Sequence, residues 1–509
     1  MSSSVFEGLQ LMLGHVWLVP IGVLVGICVG AMPGLTASNS LAILIPLMIA
    51  MPPEQGLILG VALYSGAEMG NSFPAITLRI PGTASSAVTA IEGFPLMQRG
   101  QGAMALGICI MASTLGALFG SLASIIAAPL ISKVALQFSP VEITVVILFG
   151  IAVIAMVSAG GLLKGLMAGF LGLLLATVGT DPVYGQFRGT LGIVDLYDGI
   201  TVIAALVGLL GFSEALIYVE RIAQTNAGDS AEDGTPDAVR EVLNLKGMAE
   251  GFMLVIRKPV EWIRSSVIGT ILGAVPGAGA SIAAFIAYQQ SMTFADAEEK
   301  KRFGNGSTHG LIAADAANNA MVGGSLVPLL TLGIPGSASM AVLLVVMGYH
   351  GLSVGPTLFA REGEIAYAVL WSQFVGAIFV LILGTLLAYV AFYAGKVRVS
   401  IIVPIISIFC MIGGFAKTDA VFDMWVMLFF GVLGYFMKKN GYPAVALLLG
   451  LILGALFEAG FFRGLLMGFN SPLIFIQRPI AQILWALLIL TLLAPPIVRT
   501  LLRKKADPK

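Results

Sequence analysis

Residues 74–88 read PAITLRIPGTASSAV and residues 328–342 read PLLTLGIPGSASMAV. Ten of the fifteen positions are identical, and the IPG triplets at 80–82 and 334–336 stand at an offset of 254. A second pair lies upstream of each copy. GAMPGLTAS at 30–38 and GAVPGAGAS at 273–281 share Gly-Ala-x-Pro-Gly-x-x-Ala-Ser at an offset of 243. The two motifs keep their order in both halves, so the chain reads as a duplicated unit. The polar stretch QQSMTFADAEEKKRFGNGS (289–307) lengthens one loop of the second half and accounts for the change of offset.

Both motifs sit among long apolar runs. The 509 residues are 58% hydrophobic and 11% charged, with a mean hydropathy of +0.97. A soluble domain carries about 25% charged residues, so this chain cannot cover itself with a water-compatible surface. A polytopic membrane protein follows, and 62 glycines fit close packing of its helices. The net charge of zero points to no nucleic acid. Cys28, Cys109 and Cys410 lie inside apolar runs without ligand spacing and read as packing residues. MSSSVFEGLQ at the start lacks a positive n-region, so the first apolar run, near 11–32, is expected to be retained.

The apolar runs form two series, and several, such as 35–51, 309–323 and 325–333, are too short to span alone. The expected fold is an all-α polytopic membrane protein of two homologous halves, with broken or re-entrant helices at the Pro-Gly motifs and about 11–12 membrane segments. Residues 1–219 form the first repeat, 220–258 a polar cytoplasmic linker, and 259–509 the second repeat with a C-terminal helix and basic tail. Residues 1–15 and the PPEQ turn carry no Lys or Arg, whereas Arg257, Lys258, Arg264, Lys300, Lys301 and Arg302 flank the second copy. The positive-inside rule then gives the halves opposite orientations, that is, inverted repeats. It also puts the C-terminal RKKADPK in the cytoplasm. Trp17, Trp262 and Trp485 fit interfacial belts.

Pro removes a backbone donor and Gly admits positive φ, so a Pro-Gly pair ends a helix and frees backbone groups. In hydrocarbon such groups must face protein or a wet cavity, where helix N-termini favour anions. Candidate substrate-binding residues are therefore Pro33, Gly34, Thr36, Ser38, Asn39 and Ser40 at the first break, with Pro81, Gly82, Thr83 and Ser85 at the first IPG. The second half contributes Pro276, Gly277, Gly279 and Ser281, then Pro335, Gly336, Ser337 and Ser339. Any one Pro-Gly could be a plain kink, and Ser or Thr often only joins neighbouring helices. Four breaks in two ordered pairs weigh against that blander reading. Glu68 with Asn71, and Asp315 with Asn318 and Asn319, share helical faces at i, i+3 and i, i+4 and are candidates for coupling a cation. Glu68 could instead pair with Arg79, and Arg79 could clamp an anion.

GAMPGLTASNSLAILIPL (30–47), YSGAEMGNSFPAITLRIPGTASSAVTAIEGFPL (64–96), GAVPGAGASIAAFIAY (273–288) and GLIAADAANNAMVGGSLVPLLTLGIPG (310–336) resemble the large membrane subunit of tripartite tricarboxylate transporters, the TctA family. The resemblance covers nearly the whole chain. It implies a multi-pass protein of the bacterial inner membrane working with a small membrane subunit (TctB-like) and a periplasmic solute-binding protein (TctC-like). Import of di- and tricarboxylates such as citrate would be driven by H⁺ or Na⁺ through alternating access, with no organic cofactor and no metal beyond a possible Na⁺. The chain has no P-loop motif, in keeping with a secondary transporter. An uncoupled carboxylate channel is the alternative. An enzyme is not expected, because His15, His309 and His350 belong to no Ser/His or metal-ligand motif and GxSxG is missing.

Overall fold

A computed structural model describes residues 2–32, 35–157, 161–181, 183–225, 244–275, 279–394, 399–415 and 420–490 of the protein. The first half runs α1 (Ser2–Gly14), α2 (Leu18–Gly30), α3 (Ala37–Ala50), α4 (Pro53–Gly70), α5 (Ser72–Leu78), α6 (Ser86–Gln98), α7 (Gly102–Ala135), α8 (Pro140–Val157) and α9 (Leu162–Ala176). It ends with α10 (Val202–Glu220), whose middle stretch Val207–Phe212 is π-helical. The second half runs α11 (Leu245–Ile256), α12 (Pro259–Ala274), α13 (Gly279–Phe294), α14 (Thr308–Leu332), α15 (Ala338–Tyr349), α16 (Gly363–Ala394), α17 (Val399–Phe415), α18 (Val421–Lys439) and α19 (Ala444–Met467). The one sheet among the described residues is a two-residue antiparallel pairing of Gly179–Thr180 with Phe187–Arg188.

Among the described residues, five helices are long and apolar enough to cross a bilayer: α7, α10, α16, α18 and α19. The bent pair α1–α2 makes a sixth. The remaining expected segments are shorter or more polar pieces, because helix breakers and buried polar side chains interrupt the apolar pattern. Two expectations are corrected in detail. The run near 11–32 is not one straight helix, since the chain turns by 70° between α1 and α2. Conversely, 309–323 and 325–333 form the single helix α14, which tolerates Pro328 and the Gly323-Gly324 pair. The stretch expected as linker, 220–258, holds α11, and residues 226–243 lie outside the described residues.

The paired sequence motifs share local backbone geometry. Arg79, which caps α5, and Gly333, which caps α14, both adopt the left-handed conformation, with φ of 57° and 70°. One residue later, Ile80 N donates to Pro74 O and Ile334 N to Pro328 O, both at 3.2 Å, closing the same C-terminal motif in each half. Gly26 of α2 lies so close to Leu63 O of α4 that no side chain fits, and Gly269 of α12 meets Ala317 O of α14 in the same way. These four positions obey the two offsets of the sequence motifs. Small residues that let helix backbones touch are the usual device of membrane packing.

Packing between the halves is reciprocal. The leading helix α1 rests on the trailing helix α16 of the other half, and α11 rests on α7. Further out, α8 and α9 pack on α19, while α17 and α18 pack on α10. Two motif-bearing helices occupy the centre. Every residue from Gly56 to Gly70 in α4 and from Gly310 to Thr331 in α14 is buried. Polar side chains on these two helices therefore face protein rather than lipid.

The inserted loop before α14 is fastened to the first half. Glu92 of α6, fully buried, accepts hydrogen bonds from Gly304 N (2.6 Å), Gly306 N (2.8 Å), Ser307 N (2.6 Å) and Tyr288 Oη (2.7 Å).

Candidate functional site

At two of the breaks the helix that follows is capped by its own hydroxyl residue. Thr36 is the N-cap of α3: its Oγ1 accepts from Asn39 N at 3.2 Å and its carbonyl accepts from Ser40 Oγ at 2.8 Å. The Thr36 and Ser38 hydroxyls lie 2.9 Å apart. Ser337 plays the same part for α15, accepting from Met340 N at 3.3 Å. At the first IPG, Thr83 and Ser85 share a hydrogen bond of 2.8 Å, and Ser86 Oγ donates to Thr83 O at 3.0 Å. Much of this hydroxyl chemistry serves helix starts, which leaves the amides and acids as the uncommitted groups.

Those groups gather where the halves meet. Asp315 of α14 is buried, and its Oδ1 accepts from Ser72 Oγ at 2.8 Å and Thr89 Oγ1 at 3.0 Å, both from the first half. The Asp315 carboxyl also lies in reach of Cys109, and the Glu68 carboxyl in reach of Asn318 and Ser85, while Asp315 Oδ2 and Glu68 Oε2 themselves are buried without a hydrogen bond of good geometry. Asn318 Nδ2 donates to Glu68 O at 3.2 Å, which joins the two candidate coupling stretches. Asn71 is fully buried and neither of its side-chain atoms has a partner. Asn39 Nδ2 is in the same condition. Buried polar groups are nearly always paired, so these unpaired atoms are what define the candidate site.

Each IPG loop returns to the break that precedes it. A Cβ on Gly82 would lie 2.7 Å from Asn71 Oδ1 and 3.4 Å from Gly30 O; on Gly336 it would lie 2.8 Å from Gly273 O. The two motifs of each half are thereby adjacent, and Tyr64 Oη, 3.1 Å from Ser337 Oγ, ties the first half to the second IPG helix. A reciprocal pair crosses the interface nearby. Asn319 Nδ2 donates to Ser113 Oγ at 2.8 Å, and Gln373 Nε2 donates to Ser65 Oγ at 3.4 Å. Ser65 and Asn319 are related by the offset of 254.

Several expected residues stand apart from this cluster. Pro33, Gly34, Pro276 and Gly277 lie outside the described residues. Gly279 has a positive φ of 64° with open space around it, and the Ser281 side chain makes no hydrogen bond among the described residues. Buried Ser85 and Ser339 do belong to the cluster, Ser85 lying against the Glu68 carboxyl and Ser339 against the Tyr64 hydroxyl. The Glu68–Arg79 alternative fails: no ion pair joins them, and Arg79 is exposed, its guanidinium 5.7 Å from the centre of the Phe94 ring. The left-handed cap turns that side chain outward. His309 is not a loop residue but opens α14, with Nδ1 3.3 Å from Glu261 Oε2. Ser72, Thr89, Tyr64, Ser113 and Gln373 were not singled out from sequence. Of these, only Gln373, an amide within an apolar run, carried a local signal.

Among the described residues no group of His, Cys, Asp and Glu is arranged to hold a metal ion. The candidate site offers neutral donors, two carboxylates and helix termini.

Residues 16–449 match the family described as the tripartite tricarboxylate transporter TctA family. Among similar proteins is an uncharacterized 52.8 kDa protein in the TAR-I ttuC' 3' region of Agrobacterium vitis, 32% identical over 466 residues, covering 92% of this chain and 90% of the relative. Another from Agrobacterium vitis, an uncharacterized protein in the TAR-II ttuC' 3' region, is 30% identical over 219 residues, 43% of this chain and 90% of the relative. No solved structure matches.

Proposed function

The chain belongs to the tripartite tricarboxylate transporter TctA family, and from that premise we propose that it is the large transport subunit of a binding-protein-dependent secondary transporter importing di- and tricarboxylates of the citrate type. It works in the bacterial inner membrane with a small membrane subunit and a periplasmic binding protein. The two halves, as inverted repeats, alternate access to a site between them, and H⁺ or Na⁺ drives the cycle.

The observation that carries this reading is the set of unpartnered buried atoms at the junction of the halves: Asn39 Nδ2, Asn71, Glu68 Oε2 and Asp315 Oδ2. An uncompensated carboxylate in a desolvated interior costs several kcal/mol, and a proton or Na⁺ relieves that cost. A cation bound at Asp315 or Glu68 in turn offsets the charge of an entering carboxylate, which links the two binding events. Neutral Asn, Ser and Thr donors with helix termini hold an anion loosely enough for release, unlike a buried Arg.

Uptake of labelled citrate and related acids into vesicles holding all three subunits tests the reading, with Na⁺ and pH varied independently. Accumulation against a gradient that collapses with a protonophore or with Na⁺ removal supports it. Equilibration that ignores both gradients indicates the uncoupled channel instead.

A further inference from the structure

A polar cavity lies outside the buried cluster, lined by residues of the α5–α6 hairpin and of the loop before α14. Its volume is about 350 Å³, and its lining includes Arg79, Phe94, Gln98, Arg99 and Asn305. At roughly 30 Å³ per water molecule it has room for a small solvated acid. We infer that this cavity binds a carboxylate anion between Arg79 and Arg99, as a station between the buried site and the aqueous face that carries loop 295–307.

Three observations support the assignment. First, the cavity has two guanidinium groups and no acid in its lining. Neither Arg79 nor Arg99 forms an ion pair among the described residues. Second, the neighbouring acid is already occupied. Glu92, on the same helix as Gln98, spends both oxygens on Gly304 N, Gly306 N, Ser307 N and Tyr288 Oη. Its charge is dispersed over those donors rather than offered to the arginines. Third, both arginines are positioned rather than loose. Arg79 projects from a left-handed cap and lies over Phe94. The Arg99 side chain rests against Gly306, where a Cβ would stand 3.2 Å from its Nη1. Gly306 has a φ of 97° and is buried, so the loop keeps that surface bare. Planar guanidinium groups match carboxylates in bidentate fashion.

The hairpin makes the connection to the core. Arg79 directly precedes the Ile80-Pro81-Gly82 loop, and Thr89, one residue before the cavity-lining Ala90, donates to Asp315. One short element thus both contacts Asp315 and lines the cavity. The anion site stands on this geometry alone, whereas its role as a station rests on the transport reading.

The test uses the full chain in lipid nanodiscs. N305C places a thiol in the lining, and its modification is followed on the peptide by mass spectrometry, so Cys28, Cys109 and Cys410 do not interfere. An anionic methanethiosulfonate is expected to react about tenfold faster than a cationic one, and citrate should slow it. With R79Q and R99Q added, the preference and the protection should both vanish. Equal rates for the two reagents, or a preference that survives both substitutions, would overturn the site. Protection by sulfate equal to that by citrate would overturn the carboxylate assignment. Uptake assays on the same variants separate the two claims. If the charge preference holds while the three-subunit vesicles transport no acid, the transport reading fails and the anion site stands. If transport is intact and unaltered by R79Q and R99Q, the site is not a station.

Discussion

Ser72 of one half donates to Asp315 of the other at 2.8 Å, deep in a region where both residues are buried. The bond spans 243 residues of sequence and holds one carboxylate oxygen, leaving the other without a partner. Asp315→Asn keeps the shape but removes the charge, and uptake by the three-subunit vesicles is expected to be abolished with membrane expression intact. Ser72→Ala removes a hydrogen bond to a charged group, worth about 1.5–3 kcal/mol. It should lower uptake on the order of tenfold. Normal uptake by D315N would remove Asp315 from the coupling role.

The amide–serine pairs at the interface lend themselves to double-mutant cycles. Hydrogen bonds between membrane helices average about 0.6 kcal/mol and reach about 1.7 kcal/mol. Asn319 with Ser113, at 2.8 Å, should show the larger coupling, and Gln373 with Ser65, at 3.4 Å, the smaller. Thermal unfolding in detergent of N319A, S113A and the double variant, and of the second trio, measures both. Coupling in the reverse order would mean that the pairs do not hold the halves together as the distances imply.

Gly82→Ala probes the contact between motif and amide. The added Cβ would stand 2.7 Å from Asn71 Oδ1, so the buried Asn71 side chain has to move. Uptake is expected to fall about tenfold, the effect of roughly 1.4 kcal/mol, while the amount of folded protein in the membrane stays unchanged. Kinetics at varied citrate concentration would locate the loss in binding or in turnover.

The hairpin at 179–188 carries a pH prediction outside the membrane. Amides of Tyr184 (3.0 Å) and Val183 (2.7 Å) donate to Asp181 Oδ1 and hold its carboxyl below the usual range, with Arg188 at 3.5 Å adding to the effect. A depressed folded value means stabilisation present above the unfolded pKa, about 3.9, and lost as pH falls through the folded value. Hydrogen-exchange protection of residues 179–188 should therefore decline below about pH 4. Asp181→Asn should lower protection at neutral pH and flatten its dependence. An unchanged profile in D181N would mean that the other hairpin contacts suffice.

Local chemistry made much of this readable in advance. Pro-Gly and IPG breaks stand out in an apolar sequence because they violate helix propensity, and the two offsets fixed which breaks correspond. Glu68 and Asp315 stand out because charge is rare at membrane depth. Ser72 and Thr89 do not, since a hydroxyl in an apolar helix looks the same whether it serves its own carbonyl or a carboxylate from the other half. Likewise, only Gly14 and His15 mark the 70° bend between α1 and α2 in an otherwise apolar run, and the partner of α1, helix α16, is more than 300 residues away. Hydropathy reports what wants to leave water, not which helix it meets. Arg79 shows the remaining limit: its left-handed cap, where the second half uses Gly333, turns the guanidinium away from the acid that sequence proximity offered.

The grip of Glu92 on Gly304, Gly306 and Ser307 gives the extra loop a mechanical meaning. Those residues close the inserted stretch that breaks the equality of the two offsets, so the part of the second half with no counterpart is latched to the first. Any tilt of α6 drags the mouth of α14 along with it. The two halves are consequently unequal on this face: Glu92 fastens the inserted loop, and the equivalent position in the second half is Val346, which has no carboxylate to form such a latch.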